Sequence, residues 1–402
     1  MNRQSLPPMD WTERLTPRAR ALRRSAVREL LKVTTRPEII SLAGGLPAPE
    51  LFPVDAVRAA TEAVLTRRGS RALQYGETEG VAELRERVAA EVSGPGGARW
   101  TREHVVITSG AQQALDLLGR VLVDEGDRVL VENPTYLALL SAWGSHGARF
   151  LGLPGDADGL CVDALPAPGT RPAKLLYTIP NFQNPQGTTL APERRPELVR
   201  WARAAGVGVV EDDPYGELWY DREPGPSLFA TEGDGGNVIR CGTFSKVLAP
   251  GLRVGWVVGS EAVVERLVLA KQAADLHSGT LNQWVALELL ENGTLEAQRP
   301  RLRAEYRRRR DAMLDALERH FPAEARWTRP AGGMFVFVTL PEGRDAATLL
   351  PRALEQGVAF VPGESFHVDG GGRNTLRLNF TNADPGRIEE GIRRLGTVVA
   401  AG

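Results

Sequence analysis

Five short runs of β-branched and apolar residues constrain this chain more than anything else in it: HVVITSG (104–110), DRVLVEN (127–133), AKLLYTIP (173–180), GVGVVEDD (206–213) and NVIRCGTFS (237–245). Helical patterns stand between them. AQQALDLLGRVLV follows the first run directly, a second helix begins near Thr135, and a third covers about 192–205. Strand-sized runs separated by amphipathic helices predict an α/β fold, with a mostly parallel sheet covered by helices on both faces. The carboxyl ends of such strands share one edge, and ligands of these sheets bind there.

The remainder reads differently. A long polar stretch over about 282–320, dense in arginine between 299 and 310, predicts one solvated connecting helix, because glutamates are interleaved with the arginines. GGMFVFVTL (332–340), a helix near 345–356, VAFVPGE (358–364), TLRLNF (375–380) and a last helix from Pro385 then predict a smaller α+β domain. The first residues hold an amphipathic helix over about 19–32 and an extended SLAGGLPAPELFP segment (41–53), too little for a domain. The expected division is therefore an arm over 1–48 packed on the small domain and the site, a large domain over 49–295 and a small domain over 296–402.

A net charge of −1 over 402 residues gives no electrostatic case for nucleic acid or an anionic membrane as partner. No apolar run approaches the ~20 residues that span a bilayer, and the N-terminus lacks a signal-peptide core. Two cysteines, Cys161 and Cys241, suit a reducing cytoplasm. The five histidines have no metal-ligand spacing, so no protein-bound metal is expected.

Chemistry concentrates at Lys246, in Thr243-Phe-Ser-Lys-Val-Leu-Ala-Pro-Gly-Leu-Arg253. The chain has only four lysines against forty-five arginines. Arginine keeps its proton and cannot form an imine, whereas lysine can once its surroundings lower its pKa. Hydroxyls at Thr243 and Ser245 and a bidentate-capable Arg253 suit a phosphate dianion. Together they describe an imine-held, phosphate-bearing aldehyde: pyridoxal phosphate.

The other strand ends fit the same ligand. Ser109, Gly110, Ala111 and Gln112 begin a helix, where free amides bind phosphate; taken alone, Ser109 reads first as an ordinary N-cap. Tyr136 in ENPTY offers a ring to stack on a flat cofactor, or is a core aromatic. Asn184 in PNFQNPQG offers an amide to the cofactor's phenolic oxygen, or is a turn asparagine. Asp212 in VVEDDPY suits the pyridine nitrogen and Tyr215 the phenolic oxygen; Asp213 is the alternative to Asp212, which the Asp-x-x-Tyr spacing favours. Tyr75 in LQYGETEG can reach the phosphate of a neighbouring subunit. Arg377 in LRLNF can clamp an α-carboxylate, or is a surface strand charge.

In this order, SGAQQAL, ENPTY, PNFQNPQG, EDDPY, TFSKVLAPGLR and LRLNF resemble the fold-type I pyridoxal-phosphate aminotransferases of class I/II over almost the whole chain. SAVRELLK, SLAGGLPAPELFP, LQYGETEG, KQAADLH and GGMFVFV are most similar to the 2-aminoadipate aminotransferase branch, which includes broad-specificity enzymes for leucine, aromatic amino acids and kynurenine. The resemblance implies a seven-stranded large-domain sheet, a homodimer with shared sites, a ping-pong exchange with 2-oxoglutarate, and catalytic roles for Lys246, Asp212 and Tyr215. It also implies substrate contacts from Arg377, Asn184, Gly45 and Tyr75, with lysine biosynthesis as the first choice of pathway. A lyase, decarboxylase or oxidase of the same fold, and a non-catalytic effector-binding domain, are the alternatives. Ser25 and Arg28 lie three apart on the first helix and share a face, which suggests that Arg28 meets the distal carboxylate of an acidic substrate.

Overall fold

The computed structural model describes residues 9–16, 19–20, 30, 36, 38–93, 100–170, 173–233 and 236–401. Ser25 and Arg28 lie outside the described residues.

Two helices, α1 (Val54–Leu73) and α2 (Ala82–Ser93), precede the sheet, and neither was expected from the sequence. Seven strands follow: β1 (Val105–Thr108), β2 (Arg128–Glu132), β3 (Arg149–Leu153), β4 (Leu175–Thr178), β5 (Gly208–Asp212), β6 (Val238–Thr243) and β7 (Gly255–Val258). Their spatial order is β1-β7-β6-β5-β4-β2-β3. All pairings are parallel except those of β7, which runs antiparallel to both β6 and β1. Two strands, β3 and β7, go beyond the five runs read from the sequence. β7 is only four residues long, and it is inserted between β1 and β6, one strand in from the edge.

Every residue of β4, inside the sheet, and of β1, at its edge under the covering helices, is buried; that is why both read as continuous apolar runs. Helices α3 (Ala111–Leu122), α4 (Leu137–Gly144), α5 (Arg194–Ala205), α6 (Leu228–Glu232) and α7 (Glu261–Ala274) cover the sheet. Leu115, Leu117 and Leu118 of α3 are fully buried, each contributing about 1.5–3 kcal/mol of apolar burial.

The single solvated helix expected over 282–320 is two helices, α8 (Thr280–Glu291) and α9 (Thr294–His320). Gly293 separates them at φ 79°, a left-handed conformation that a side chain disfavours. Nor is the stretch uniformly solvated. Trp284, Val285, Ala286, Leu287, Leu289 and Leu290 of α8 are buried. On α9, Arg309 and Arg310 are buried as well, because each finds carboxylates: Arg309 pairs with Glu50 and Glu305, Arg310 with Asp221 and Asp311.

A second, antiparallel sheet is built from β8 (Arg326–Trp327), β9 (Phe335–Thr339), β10 (Val361–Pro362) and β11 (Thr375–Asn379), in the order β8-β9-β11-β10. Helices α10 (Ala346–Glu355) and α11 (Pro385–Ala401) accompany it, α11 lying along α9. The VAFVPGE run is split: Val358–Ala359 pairs in parallel with Ile40–Ser41 of the N-terminal segment, and only Val361–Pro362 joins β11. That segment is stitched further by Asn379 N–H to Leu42 O (2.7 Å) and Thr381 Oγ1 to Leu46 O (2.8 Å). It thereby forms a separate two-stranded sheet beside the antiparallel one. Among the described residues no helix is long and apolar enough to cross a membrane.

Candidate active site

The carboxyl ends of β1, β2, β4, β5 and β6 lie along one edge of the large sheet, and each carries, in its last residue or in the loop that follows, a residue singled out in the sequence. β1 leads into Ser109, β2 to Tyr136, β4 to Asn184, β5 ends on Asp212, and β6 ends on Thr243 just before Ser245 and Lys246. Because β7 runs the other way, Arg253 precedes its first residue and falls at the same edge.

Lys246 is half-buried, and its Nζ donates to the Gly45 carbonyl at 3.0 Å. Burial, with Arg377 and Arg253 nearby, lowers its pKa to about 8. A usable fraction is therefore the neutral amine near physiological pH, unlike an ordinary lysine.

Asp212 is buried and half-satisfied. The Tyr177 hydroxyl donates to Oδ2 at 2.7 Å, while Oδ1 has no partner among the described residues. Burial raises its pKa to about 7 against the pull of Tyr177, and Asp213 and Glu211 push it further up. A buried carboxylate oxygen without a donor is costly. A protonated ring nitrogen would remove that cost, which is the first sign that the site fits a pyridinium. Asp213, the alternative, is already paired with Arg240 at 2.9 Å and accepts from Gly216 N–H at 2.9 Å.

Arg377 is no surface charge: it is buried between Phe335 and Phe366, its guanidinium carbon 4.2 and 5.0 Å from their ring centroids. Its Nη1 donates to Asn184 Oδ1 at 2.7 Å and its Nη2 to Ala43 O at 2.8 Å, leaving Nε unpartnered among the described residues. Burial lowers its pKa to about 10, so it stays cationic at neutral pH. Asn184 Nδ2 reaches the Tyr215 hydroxyl at 3.5 Å, and Tyr215 packs edge-on against Phe335. Burial raises the Tyr215 pKa, so it remains a phenol. The loop carrying Asn184 is fixed from behind: Ile179 N–H donates to the buried Glu132 at 3.0 Å, and Gln183 Nε2 to Pro134 O at 2.8 Å.

The second sign of fit is the cradle between Arg253 and the start of α3. Gly110 has φ 80°, and a Cβ there would stand 2.6 Å from Arg253 Nη2. A Cβ on Gly255 would stand 2.8 Å from the Gly110 carbonyl carbon. Only glycines let a guanidinium and a helix N-terminus approach this closely, and together they suit a phosphate. Arg253 Nη2 donates to Ser109 O at 2.9 Å. Thr243 Oγ1 lies 2.9 Å from Ser245 Oγ and accepts from Ser245 N–H at 3.2 Å. Tyr136 stands at the N-terminus of α4, partly buried. Gln112 is exposed. Tyr75, 78% exposed, stands edge-on to His277 with ring centroids 5.7 Å apart and contacts none of the residues above.

Tyr177 was read only as a strand residue. Its signal is the two-residue strand period: it points to the side of β4 that faces Asp212 on the neighbouring strand. Among the described residues no cluster of three or more His, Cys, Asp or Glu side chains gathers as a metal site.

A family model described as Aminotransferase class I and II matches residues 37–395. A 2-aminoadipate transaminase of Thermus thermophilus is 47% identical over 394 residues, covering 97% of this chain and 98% of that protein. Aromatic-amino-acid aminotransferase 1 of Thermococcus litoralis is 42% identical over 408 residues, covering 98% and 95%. Among solved structures, LysN, an alpha-aminoadipate aminotransferase of Thermus thermophilus complexed with N-(5'-phosphopyridoxyl)-L-leucine, superposes with a TM-score of 0.91 at 45% identity, covering 98% of this chain and 99% of that one.

Proposed function

The chain belongs to the aminotransferase class I and II family, and on that footing we propose that it moves the amino group of 2-aminoadipate to 2-oxoglutarate, using pyridoxal 5'-phosphate and accepting leucine and aromatic amino acids as further donors. One observation carries this reading: a lysine amine of lowered pKa, a half-satisfied buried carboxylate and a buried arginine converge on one sheet edge. The substrate assignment draws on the relatives named for 2-aminoadipate and aromatic amino acids.

The cofactor, when bound, supplies an electron sink for the pair left on Cα as its proton departs. The rest falls to this chain. Lys246 Nζ takes that proton and returns it, as base and then acid. Asp212 Oδ1 holds the proton on the ring nitrogen. Tyr215 and Asn184 hydrogen-bond the phenolic oxygen, and Tyr136 packs on the ring face. The amides of Gly110, Ala111 and Gln112, the hydroxyls of Thr243 and Ser245, and Arg253 hold the phosphate, and Ser109 anchors that turn from behind. Arg377 grips the α-carboxylate, trading its bond to Ala43 for the substrate, while Gly45 lies beside it.

Tyr75 completes the site of a partner copy in a homodimer; its 78% exposure in the single chain favours this. Residues 1–48, 49–295 and 296–402 act as arm, large domain and small domain, the last boundary falling at the start of α9. The two free cysteines fit the cytoplasm, and lysine biosynthesis is the matching pathway.

A donor panel against 2-oxoglutarate, read as glutamate formed, tests the reaction; donor consumed without glutamate would instead indicate a lyase, decarboxylase or oxidase. Arg28, with Ser25 beside it in sequence, is assigned the distal carboxylate. Arg28→Ala should lower kcat/KM for 2-aminoadipate by roughly 10–100-fold while leucine changes little. Equal losses for both donors would remove Arg28 from substrate recognition.

A further inference from the structure

The string KQAADLH (271–277) takes no part in the chemistry above, yet it holds a fully buried lysine. Lys271, in the last turn of α7, places Nζ within 2.8 and 2.9 Å of the two Asp275 carboxylate oxygens, 2.9 Å of Gln113 Oε1 and 3.0 Å of Ser278 Oγ. The ammonium donates to acceptors on three residues, and one of them, Gln113, comes from another helix. Helix capping alone does not call for that partner.

The cluster ends on Ser109. Gln113 Oε1 also accepts the Ser109 N–H at 2.7 Å, and Gln113 Nε2 donates to Asp275 Oδ2 at 2.6 Å. The Ser109 hydroxyl lies 3.3 Å from Asp275 Oδ2 and 3.2 Å from Ser278 Oγ. With Arg253 on its carbonyl, every polar atom of Ser109 is held, immediately before the Gly110 turn. Ser278 is anchored in turn: its carbonyl accepts from Gln283 Nε2 at 2.8 Å, and Gln283 Oε1 accepts Val81 N–H at 2.8 Å.

We propose that Lys271 is a positioning residue for the cofactor's phosphate: it orients Asp275 and Gln113, which fix Ser109, so that the Gly110–Gln112 amides are aimed before the cofactor arrives. The claim rests on reading that turn as the phosphate site. Lys271 touches neither substrate nor cofactor; it acts through Gln113 and Asp275. Preorganised donors bind an anion without the ordering cost that a loose turn would impose. A buried ammonium shared by several acceptors is a stiff fixture, since losing any one of them strands a polar group.

The test measures cofactor retention by the purified holoenzyme under serial ultrafiltration. Reloading is measured in parallel with pyridoxal phosphate and with pyridoxal, which carries an alcohol in place of the phosphate. Lys271→Met should weaken retention of pyridoxal phosphate about tenfold or more, with pyridoxal changing less than about threefold. Lys271→Arg should fall between. Should Lys271→Met fold poorly, Lys271→Met/Asp275→Asn removes both charges and the stranded carboxylate; its melting temperature should recover while phosphate selectivity stays lost. Equal weakening for both ligands, or none, overturns the proposal. Arg253→Met in the same assay separates the two levels. If Arg253→Met keeps the preference for pyridoxal phosphate, the phosphate reading itself fails. If it loses the preference and Lys271→Met does not, only the role of Lys271 falls.

Discussion

The two ends of the site are built on opposite principles. Around Asp212 the protein is short of hydrogen bonds: Oδ1 has no donor, burial raises the acid to about 7, and Arg377 Nε is likewise unpartnered. Around Ser109 it is saturated: amide, hydroxyl and carbonyl are all engaged, and a buried lysine binds the engaging groups together. An under-satisfied end gains most when a complementary charge arrives, so binding there is coupled to the ligand's protonation. A saturated end changes little on binding and serves as a grip. On the proposed reading, reaction and retention would thereby be separable in one site.

The largest expected effect that breaks this comparison is at Lys246. Lys246→Ala should cut turnover about 10⁴-fold, the upper range for losing a general base, yet still copurify with cofactor held at the phosphate end. Loss of all cofactor from this variant would show that the grip does not stand alone. Next is Asp212→Asn, expected to lower kcat about 10²–10³-fold, the range for one preorganised electrostatic partner. Its effect on the cofactor-free fold runs the other way. The Asp212 pKa in the fold, about 7, lies above its ordinary value of 3.8. Its ionisation therefore costs stability, beginning above the unfolded value and complete above about 7. Cofactor-free Asp212→Asn should melt higher than the parent at pH 8 and at nearly the same temperature at pH 4. Smallest is Tyr177→Phe, which removes the one donor to Asp212. About three- to tenfold in activity is expected, with the Asp212-dependent limb of the pH profile moving to higher pH, because Tyr177 holds that pKa down. A shift to lower pH would contradict the assigned sign.

Most of the edge residues were legible because a parallel sheet delivers its ligand contacts at strand ends, and strand ends are local features of sequence. Lys246, Asp212, Asn184 and Arg253 each sit within a short string of fixed chemistry. What stayed hidden depends on partners far apart in the chain. Tyr177 meets Asp212 across 35 residues, and Lys271 meets Gln113 across 158. Strand β7 was missed because four residues with an antiparallel neighbour on each side leave no βα rhythm to read. The reading of 282–320 as one solvated helix failed at Gly293 because residues on both sides of it carry helical character, and at Arg309 and Arg310 because carboxylates from distant segments neutralise them.

The segment around Ala43 and Gly45 lends two main-chain oxygens to the site, one to Arg377 and one to Lys246. Both cations thus wait in company. On the proposed reading, an arriving carboxylate would not strip water from a bare guanidinium but displace a tenant of lesser charge, and the strand-like pairing of Ile40–Ser41 with Val358–Ala359 would keep that tenant within reach for its return. Entry and departure become exchanges between two bonded arrangements, nearly matched in number of bonds and unequal in charge. An enzyme that must release one acid to admit another at every half-turnover has good use for such a placeholder.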